Sequence, residues 1–416
     1  METLRFLMVT TFYPPYHVGG DAIHVQDLAR ALSSRGHEVH VEYSPAAYAL
    51  RHKPLRGPPP ERDDGVVLHP IPGDGWRQPV AAHVLGRSAG VRRFHGHLLD
   101  DVRPDVLHHH NISLLGLDVL ERRSRTRALY TAHDYWVRCP RSDLFKYGKY
   151  PCDAPTCLRC ELVSRRPPQL WRYGSGGRGL LGVDCAIAPS QFMARAIQSS
   201  VRCPVVHIPN FAPDADPSRV PHAPGDSFLF AGVLEMHKGI SELAAACLRR
   251  SFPLRVVGRG SLSDSLTEIA RRRPNGMHIE GWLPRERLFG LYRTAKALII
   301  PSLSPENAPL TAVEALSCGT PLLVARRGGL PELLHDGATG LSFEPDPEGI
   351  VDAVERFERL ENPSSLRAGA RWAYERYHTP DGYLQRYLDV ARGDLPTVPE
   401  VRNTVVDPGV LPGAAA

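Results

Sequence analysis

Nowhere in the 416 residues is there an apolar run of 18 or more, and no apolar segment follows Met1. The first absence excludes a helix that spans a membrane, which needs about 20 such residues. The second is read as the lack of a secretory leader. Met1-Glu2-Thr3-Leu4-Arg5 leads straight into an apolar strand, so the expected location is the cytoplasm, or at most the inner face of its membrane. Charge of one sign is scarce as well. Lys and Arg number 50 against 45 Asp and Glu, a balance of +5 that suits an anionic nucleotide-sugar or a membrane face. It falls short of the basic stripe that nucleic acid demands, so no nucleic-acid partner is expected. There is no internal repeat. The dinucleotide fingerprint G-x-G-x-x-G is missing too: after the first strand the glycines Gly19 and Gly20 are adjacent and come late.

What is present is an ordinary globular composition, 42% hydrophobic and 23% charged, in a chain long enough for two well-buried cores. Apolar runs of strand length alternate with helical stretches, the pattern of an α/β protein with parallel sheets. Strands are expected at 5–10, 38–43, 105–109, 127–132, 184–188 and 204–208, then at 227–231, 254–257, 277–280, 297–300, 321–324 and 341–343. Between the two sets lies a proline-dense polar stretch from Pro209 to Pro217, with Pro221 and Pro224 beyond, which reads as a linker. The expected units are an N-terminal domain over 1–215, a C-terminal domain over 222–370, a helix over 371–393 and a disordered tail over 394–416. Two doubly wound sheets facing across a cleft would bind ligands outside the carboxyl ends of their strands.

The densest signal lies in the second unit. Ala297-Leu298-Ile299-Ile300 has the composition of a buried parallel strand. Pro301 to Pro309 follow as a loop, with Pro309 suited to a first helical position and Gly319 to the residue past the helix end. The free amides and dipole of that helix start favour a diphosphate. Glu306 in the loop can accept from a sugar hydroxyl, and Glu314, a turn into the helix, can reach a ribose diol. Earlier, Phe228 to Val233 ends a strand and Lys238-Gly239 opens the next helix. In the first unit, His108, His109 and His110 end a strand, and alternation forbids all three from facing one metal. Asp214-Ala215-Asp216 mimics a metal-binding D-x-D but sits in the linker.

Cys139, Cys152, Cys157 and Cys160 crowd one loop over about 139–160, the last two in a C-x-x-C spacing. In a reducing compartment that spacing points to a structural zinc or an iron–sulfur cluster, with free thiols or a redox disulfide as the other readings. Just after it, Arg165, Arg166 and Arg172 accompany Trp171 and Tyr173, a combination suited to an anionic membrane surface or to a plain basic loop.

The ordered string Pro301, Ser302, Glu306, Glu314, Ala315, Gly319, Pro321, Gly328, Gly329, Glu332, Asp336, Gly337 and Gly340 resembles the retaining glycosyltransferases of family 4, which have the two-domain GT-B architecture. The resemblance runs over roughly residues 5–380, and it implies that the helix over 371–393 crosses back to the N-terminal domain. It implies metal-independent transfer of a sugar from a nucleotide diphosphate-sugar to a hydroxyl acceptor such as a lipid, a polysaccharide or a natural product, with no cofactor for catalysis. By the same resemblance His133, Glu306 and Lys238 are the catalytic set. The expected donor-binding set is Gly19, Gly20, Gly232, Lys238, Arg259, Glu306, Asn307, Ala308, Pro309, Leu310 and Glu314. One departure stands out: where the family carries a diphosphate-binding Arg, this chain has Val233, with Arg259 or His237 as the nearest substitutes. The alternatives are a non-catalytic nucleotide-sugar-binding protein of the same fold, or a GT-B epimerase.

Overall fold

Runs such as Cys185–Ala188 and Leu322–Ala325 are buried at every position. Parallel strands covered on both faces require this, because neither face meets water. The computed structural model describes residues 3–50, 57–73, 75–173, 182–215, 225–272 and 276–395.

The first sheet has eight strands: β1 (Arg5–Val9), β2 (Glu38–Tyr43), β3 (Arg62–Asp63), β4 (Val66–Pro70), β5 (Val106–His109), β6 (Arg127–Thr131), β9 (Cys185–Ala188) and β10 (Val205–His207). Their order is β10-β9-β6-β5-β1-β2-β4-β3, parallel throughout except for β3. Between β6 and β9 a small hairpin, β7 (Phe145–Lys146) with β8 (Tyr150–Pro151), stands in the cysteine-rich loop. The second sheet holds β11 (Phe228–Ala231), β12 (Leu254–Val257), β13 (Met277–Gly281), β14 (Leu298–Ile300), β15 (Leu322–Ala325) and β16 (Gly340–Phe343). It is wholly parallel in the order β13-β12-β11-β14-β15-β16.

Chain order reverses direction between β1 and β5 in the first sheet and between β11 and β14 in the second. Loops at those two switch points splay apart and leave a crevice. Gly19-Gly20 follows β1, His110 follows β5, Lys238 follows β11 and Glu306 follows β14. The doubly wound topology therefore delivers the candidate residues Gly19, Gly20, Lys238 and Glu306 to the places where such folds bind ligands.

Each expected strand is found, with its ends shifted by one residue at most. Unforeseen are β3 and β4, whose apolar content is confined to three residues, and the two-residue strands of the hairpin. Pro309 is the residue before the helix Leu310–Ser317, with extended backbone (ψ 134°), and is not its first helical position. The proline ring fixes φ, which suits either place. Gly319 has φ +66° just past that helix. The helix Pro363–Tyr377 sends Ala370 and Tyr374 into the core of the second half. The helix Pro380–Arg392 instead buries Tyr383, Leu384, Tyr387 and Leu388 with Phe6 and Met8 of β1. Residues 216–224 of the linker and 396–416 of the tail lie outside the described residues. Among those described, no helix is long and apolar enough to cross a membrane.

Candidate active site

Glu306 stands in the loop after β14, its carboxylate 2.6 Å from Lys238 Nζ and 2.7 Å from Ser302 Oγ. Burial alone would raise its pKa, but the Lys238 ammonium and the Ser302 hydroxyl outweigh it and hold the carboxyl below its ordinary value. Two glycines make the geometry possible. Gly239 (φ +68°) follows Lys238, and a Cβ there would come within 1.8 Å of the Pro301 carbonyl oxygen. A Cβ on Gly328 would meet the Glu306 carbonyl oxygen at 2.1 Å. Only glycine lets these backbones approach so closely.

Glu314 lies in the helix Leu310–Ser317 and is buried. Burial raises its pKa; Arg285 Nε, 2.8 Å from one carboxylate oxygen, and the Tyr292 hydroxyl, 3.3 Å from the other, oppose the rise. The same Arg285 forks onto Asp27 of the first half at 3.0 and 2.9 Å. One guanidinium thus ties a helix of each sheet together.

From the first half, Gly19 has φ +104° and opens the helix Gly20–Ser33. A Cβ on Gly20 would touch Leu310 at 3.5 Å, so the two helix starts abut across the cleft. His133 follows β6, with Nε2 2.9 Å from His110 Nδ1. The loop bearing Glu306 reaches it through Asn307, whose Nδ2 donates to the carbonyls of Ala132 (2.8 Å) and His133 (3.3 Å). Ser190 donates to Asn307 Oδ1, and Asn210 to the Ala308 carbonyl at 2.7 Å. Glu332 accepts from the amides of Gln191 and Phe192 at the start of the helix Gln191–Gln198. Asn307 and Ala308, expected to touch the donor, here stitch the halves together.

Other expected residues flank the Lys238–Glu306 pair: the His237 carbonyl accepts from the amides of Leu303 and Ser304, and the Arg259 carbonyl accepts from that of Leu234. Arg259 is exposed and has no ion pair among the described residues, while Val233 is 39% exposed. Gly232 packs under Gly258, where a Cβ would meet the Gly232 carbonyl oxygen at 1.8 Å. His237 is mostly buried, which lowers its pKa. Asp214 pairs with Arg371, and Asp216 lies outside the described residues.

The expected metal centre finds no support. Among the described residues no group of three or more His, Cys, Asp or Glu could hold a metal. The loop around Cys139, Cys152, Cys157 and Cys160 is held by other means. Cys160 Sγ accepts from the Tyr147 amide, Gln169 Nε2 donates to the Pro140 carbonyl, and burial pushes the Cys139 thiol up to about 12. Two of the residues expected at a membrane face are engaged inside this loop. Arg172 stacks 5.0 Å from Trp136 and 4.4 Å from Trp171, and Trp171 Nε1 donates to the His83 carbonyl. Leu170 and Tyr173 remain exposed.

Sequence reasoning missed Arg285, Asp27, Ser190 and Asn210. None lies in a patterned motif; each matters through a partner 98 to 258 positions away.

Comparison with known proteins follows these halves. The family described as Glycosyltransferase Family 4 matches residues 18–215, and that described as Glycosyl transferases group 1 matches residues 219–373. A glycogen synthase from Mycobacterium tuberculosis (strain H37Rv) is 27% identical over 438 residues, spanning 97% of this chain and 100% of that protein. A D-inositol 3-phosphate glycosyltransferase from Thermobifida fusca (strain YX) is 34% identical over 131 residues, 30% of this chain and 29% of that one. Sucrose-phosphate synthase from Thermosynechococcus elongatus shares the fold with a TM-score of 0.68 at 18% identity, over 94% of this chain and 98% of that one. Anabaena Alr3699/HepE in complex with UDP and glucose does so at 0.63 and 16%, over 94% and 100%. With one family match on each half and the two-sheet architecture common to these structures, the chain belongs to the family 4 glycosyltransferases of GT-B fold.

Proposed function

We propose that this glycosyltransferase moves a hexose-type sugar from a nucleoside diphosphate-sugar to a hydroxyl acceptor, with retention at the anomeric carbon and without a metal. The observation that carries the reading is the Lys238–Glu306 pair at the second switch point, beside the start of the helix that bears Glu314. Lys238 and the first-turn amides of that helix would hold the diphosphate. Glu306, kept ionised, accepts from a sugar hydroxyl, and Glu314 accepts from the ribose. The acceptor oxygen forms its bond to the anomeric carbon on the face from which the diphosphate departs. The sugar–phosphate bond breaks, its electron pair goes to the phosphate oxygen, and that oxygen takes the acceptor's proton. Gly19-Gly20 approaches the diphosphate from the other half, and His133 contacts the transferred sugar.

The relatives support the substrate class: Alr3699/HepE was solved with UDP and glucose, and the curated relatives carry the names of a glycogen synthase and of D-inositol 3-phosphate glycosyltransferases. One observation favours a second reading, a nucleotide-sugar-binding protein without turnover. Val233, 39% exposed, stands on the donor side where the family pattern has a cation.

Thermal unfolding with UDP, GDP, ADP and dTDP tests the site. A nucleotide at a hundred times its Kd raises stability by about 2.7 kcal/mol. One responder is expected; none would overturn both readings. With the responding nucleotide-sugar, Glu306→Gln should keep nucleotide binding and lower turnover by roughly 10²-fold. Binding without any turnover in the unaltered protein would favour the second reading.

A further inference from the structure

A column of imidazoles runs behind His133. His108 and His110, on one face of the strand end, have ring centres 3.9 Å apart, and the His24 ring lies 5.1 Å from that of His133. The C-terminal helix closes the column: Tyr387 Oη is 2.9 Å from His108 Nδ1, and Tyr383 Oη is 3.3 Å from His24 Nε2. His109 points the other way, onto the carbonyls of Leu129 and Val119. Burial pushes His24, His108, His110 and His133 all below the ordinary histidine value, so each ring is neutral and carries one proton.

His110 has one choice that decides the rest. Its Nδ1 faces His133 Nε2 at 2.9 Å, while its Nε2 is buried with no partner among the described residues. A buried N–H without an acceptor is a rare and costly arrangement. The single proton therefore belongs on Nδ1, where it is shared, and the bare lone pair is left on Nε2. His110 then donates and His133 Nε2 accepts. A neutral His133 must carry its own proton on Nδ1, which makes no hydrogen bond to any described residue.

We propose that His110 is a positioning residue that fixes His133 in the Nδ1–H form, so that His133 meets the substrate as a hydrogen-bond donor and not as a base. This rests on the proposed reading for what His133 contacts, but the tautomer itself does not. A proton on Nδ1 bars that atom from taking one from the acceptor, in keeping with transfer in which the leaving phosphate does so. The arrangement also gives the C-terminal helix a share in the site, through Tyr387 and His108 behind His110.

The test is nitrogen-15 NMR on protein labelled at histidine, the His133 signals being identified by their loss in His133→Ala. Two-bond couplings should report a bare Nε2 and a protonated Nδ1 for His133. In His110→Phe the preference should shift to Nε2–H, the form a free imidazole favours. His110→Asn places an amide donor close to the lost Nδ1 and should restore the Nδ1–H form, so a folding defect in one variant does not decide the matter. A proton on His133 Nε2 in the unaltered protein overturns the proposal, as does an unchanged tautomer in a folded His110→Phe. With a responding donor, His110→Phe should lower kcat by roughly 10²-fold at an unchanged nucleotide Kd, and His110→Asn should recover most of it. Absence of nucleotide binding would fault the functional reading and leave the tautomer result standing.

Discussion

At the scale of single residues, chemistry follows from what a buried group is allowed to face. His95 shows this away from the cleft. Its ring is enclosed, Nδ1 lies 2.6 Å from a Glu42 carboxylate oxygen and Nε2 lies 3.0 Å from the Glu121 carbonyl. With a carboxylate on one ring nitrogen and a carbonyl on the other, the surroundings favour the imidazolium. Burial alone would lower the His95 pKa, but Glu42 and the Glu121 carbonyl outweigh it and raise the value. A folded pKa above that of the unfolded chain gives stability that is fully present below about pH 6.5 and is lost as pH rises through the raised folded value. Urea denaturation across pH 5 to 9 should show that loss. His95→Phe should cost about 3–5 kcal/mol, because Glu42 is left buried without its partner. A flat profile in the unaltered protein would show that the ring is neutral. Glu306, Glu314 and Lys238 could be singled out from the sequence because their order along the chain is itself a pattern, and the structure pairs Lys238 with Glu306. His110 was visible only as one of three histidines, since its partner is 23 positions away, in the loop after another strand.

At the scale of elements, the parallel strands announced themselves because burial on both faces leaves continuous apolar runs. The strand β3 and the β7–β8 hairpin did not, since two-residue strands carry no periodicity to read, and the five residues of β4 hold their three apolar side chains in a row at one end. The cysteine spacing misled for a related reason: C-x-x-C sets the interval along one turn of chain and says nothing of where Cys139 or Cys152 will stand. The last helix is the informative case. Its apolar stripe of Tyr383, Leu384, Tyr387 and Leu388 predicts burial but not the surface it covers, and the structure lays it on the first sheet. Arg127 Nε donating to the Val390 carbonyl at 2.8 Å secures its far end. Tyr387 both fills that surface and bonds His108, so its two contributions separate by mutation. Tyr387→Phe should cost about 1–3 kcal/mol, the penalty for a buried polar group that loses its partner. Tyr387→Ala should cost about 3–5 kcal/mol, because a cavity is added. Equal losses in the two variants, measured by urea denaturation, would mean that the helix is held by the hydrogen bond and not by packing.

At the scale of the whole molecule, two sheets that fold around separate cores meet through a handful of polar contacts, and Arg285 is the most heavily committed of them. Its guanidinium faces Asp27 and Glu314, whose side chains are only 10% and 7% exposed. Without the cation, two nearly buried carboxylates would confront each other across the cleft. Each could regain water only if the halves part, whereas each core would keep its own packing. Arg285→Ala should therefore open the cleft more than it unfolds either half. X-ray scattering should show a larger radius of gyration, with the thermal transition lowered or split in two. Arg285→Lys should be intermediate, since an ammonium supplies charge but not the fork that reaches both partners. Replacing Asp27 with Asn in the Arg285→Ala background removes one of the opposed charges and should draw the halves partly together again. A scattering curve identical to that of the unaltered protein in Arg285→Ala would show that Asn307, Ser190, Asn210 and Glu332 suffice to hold the closed form.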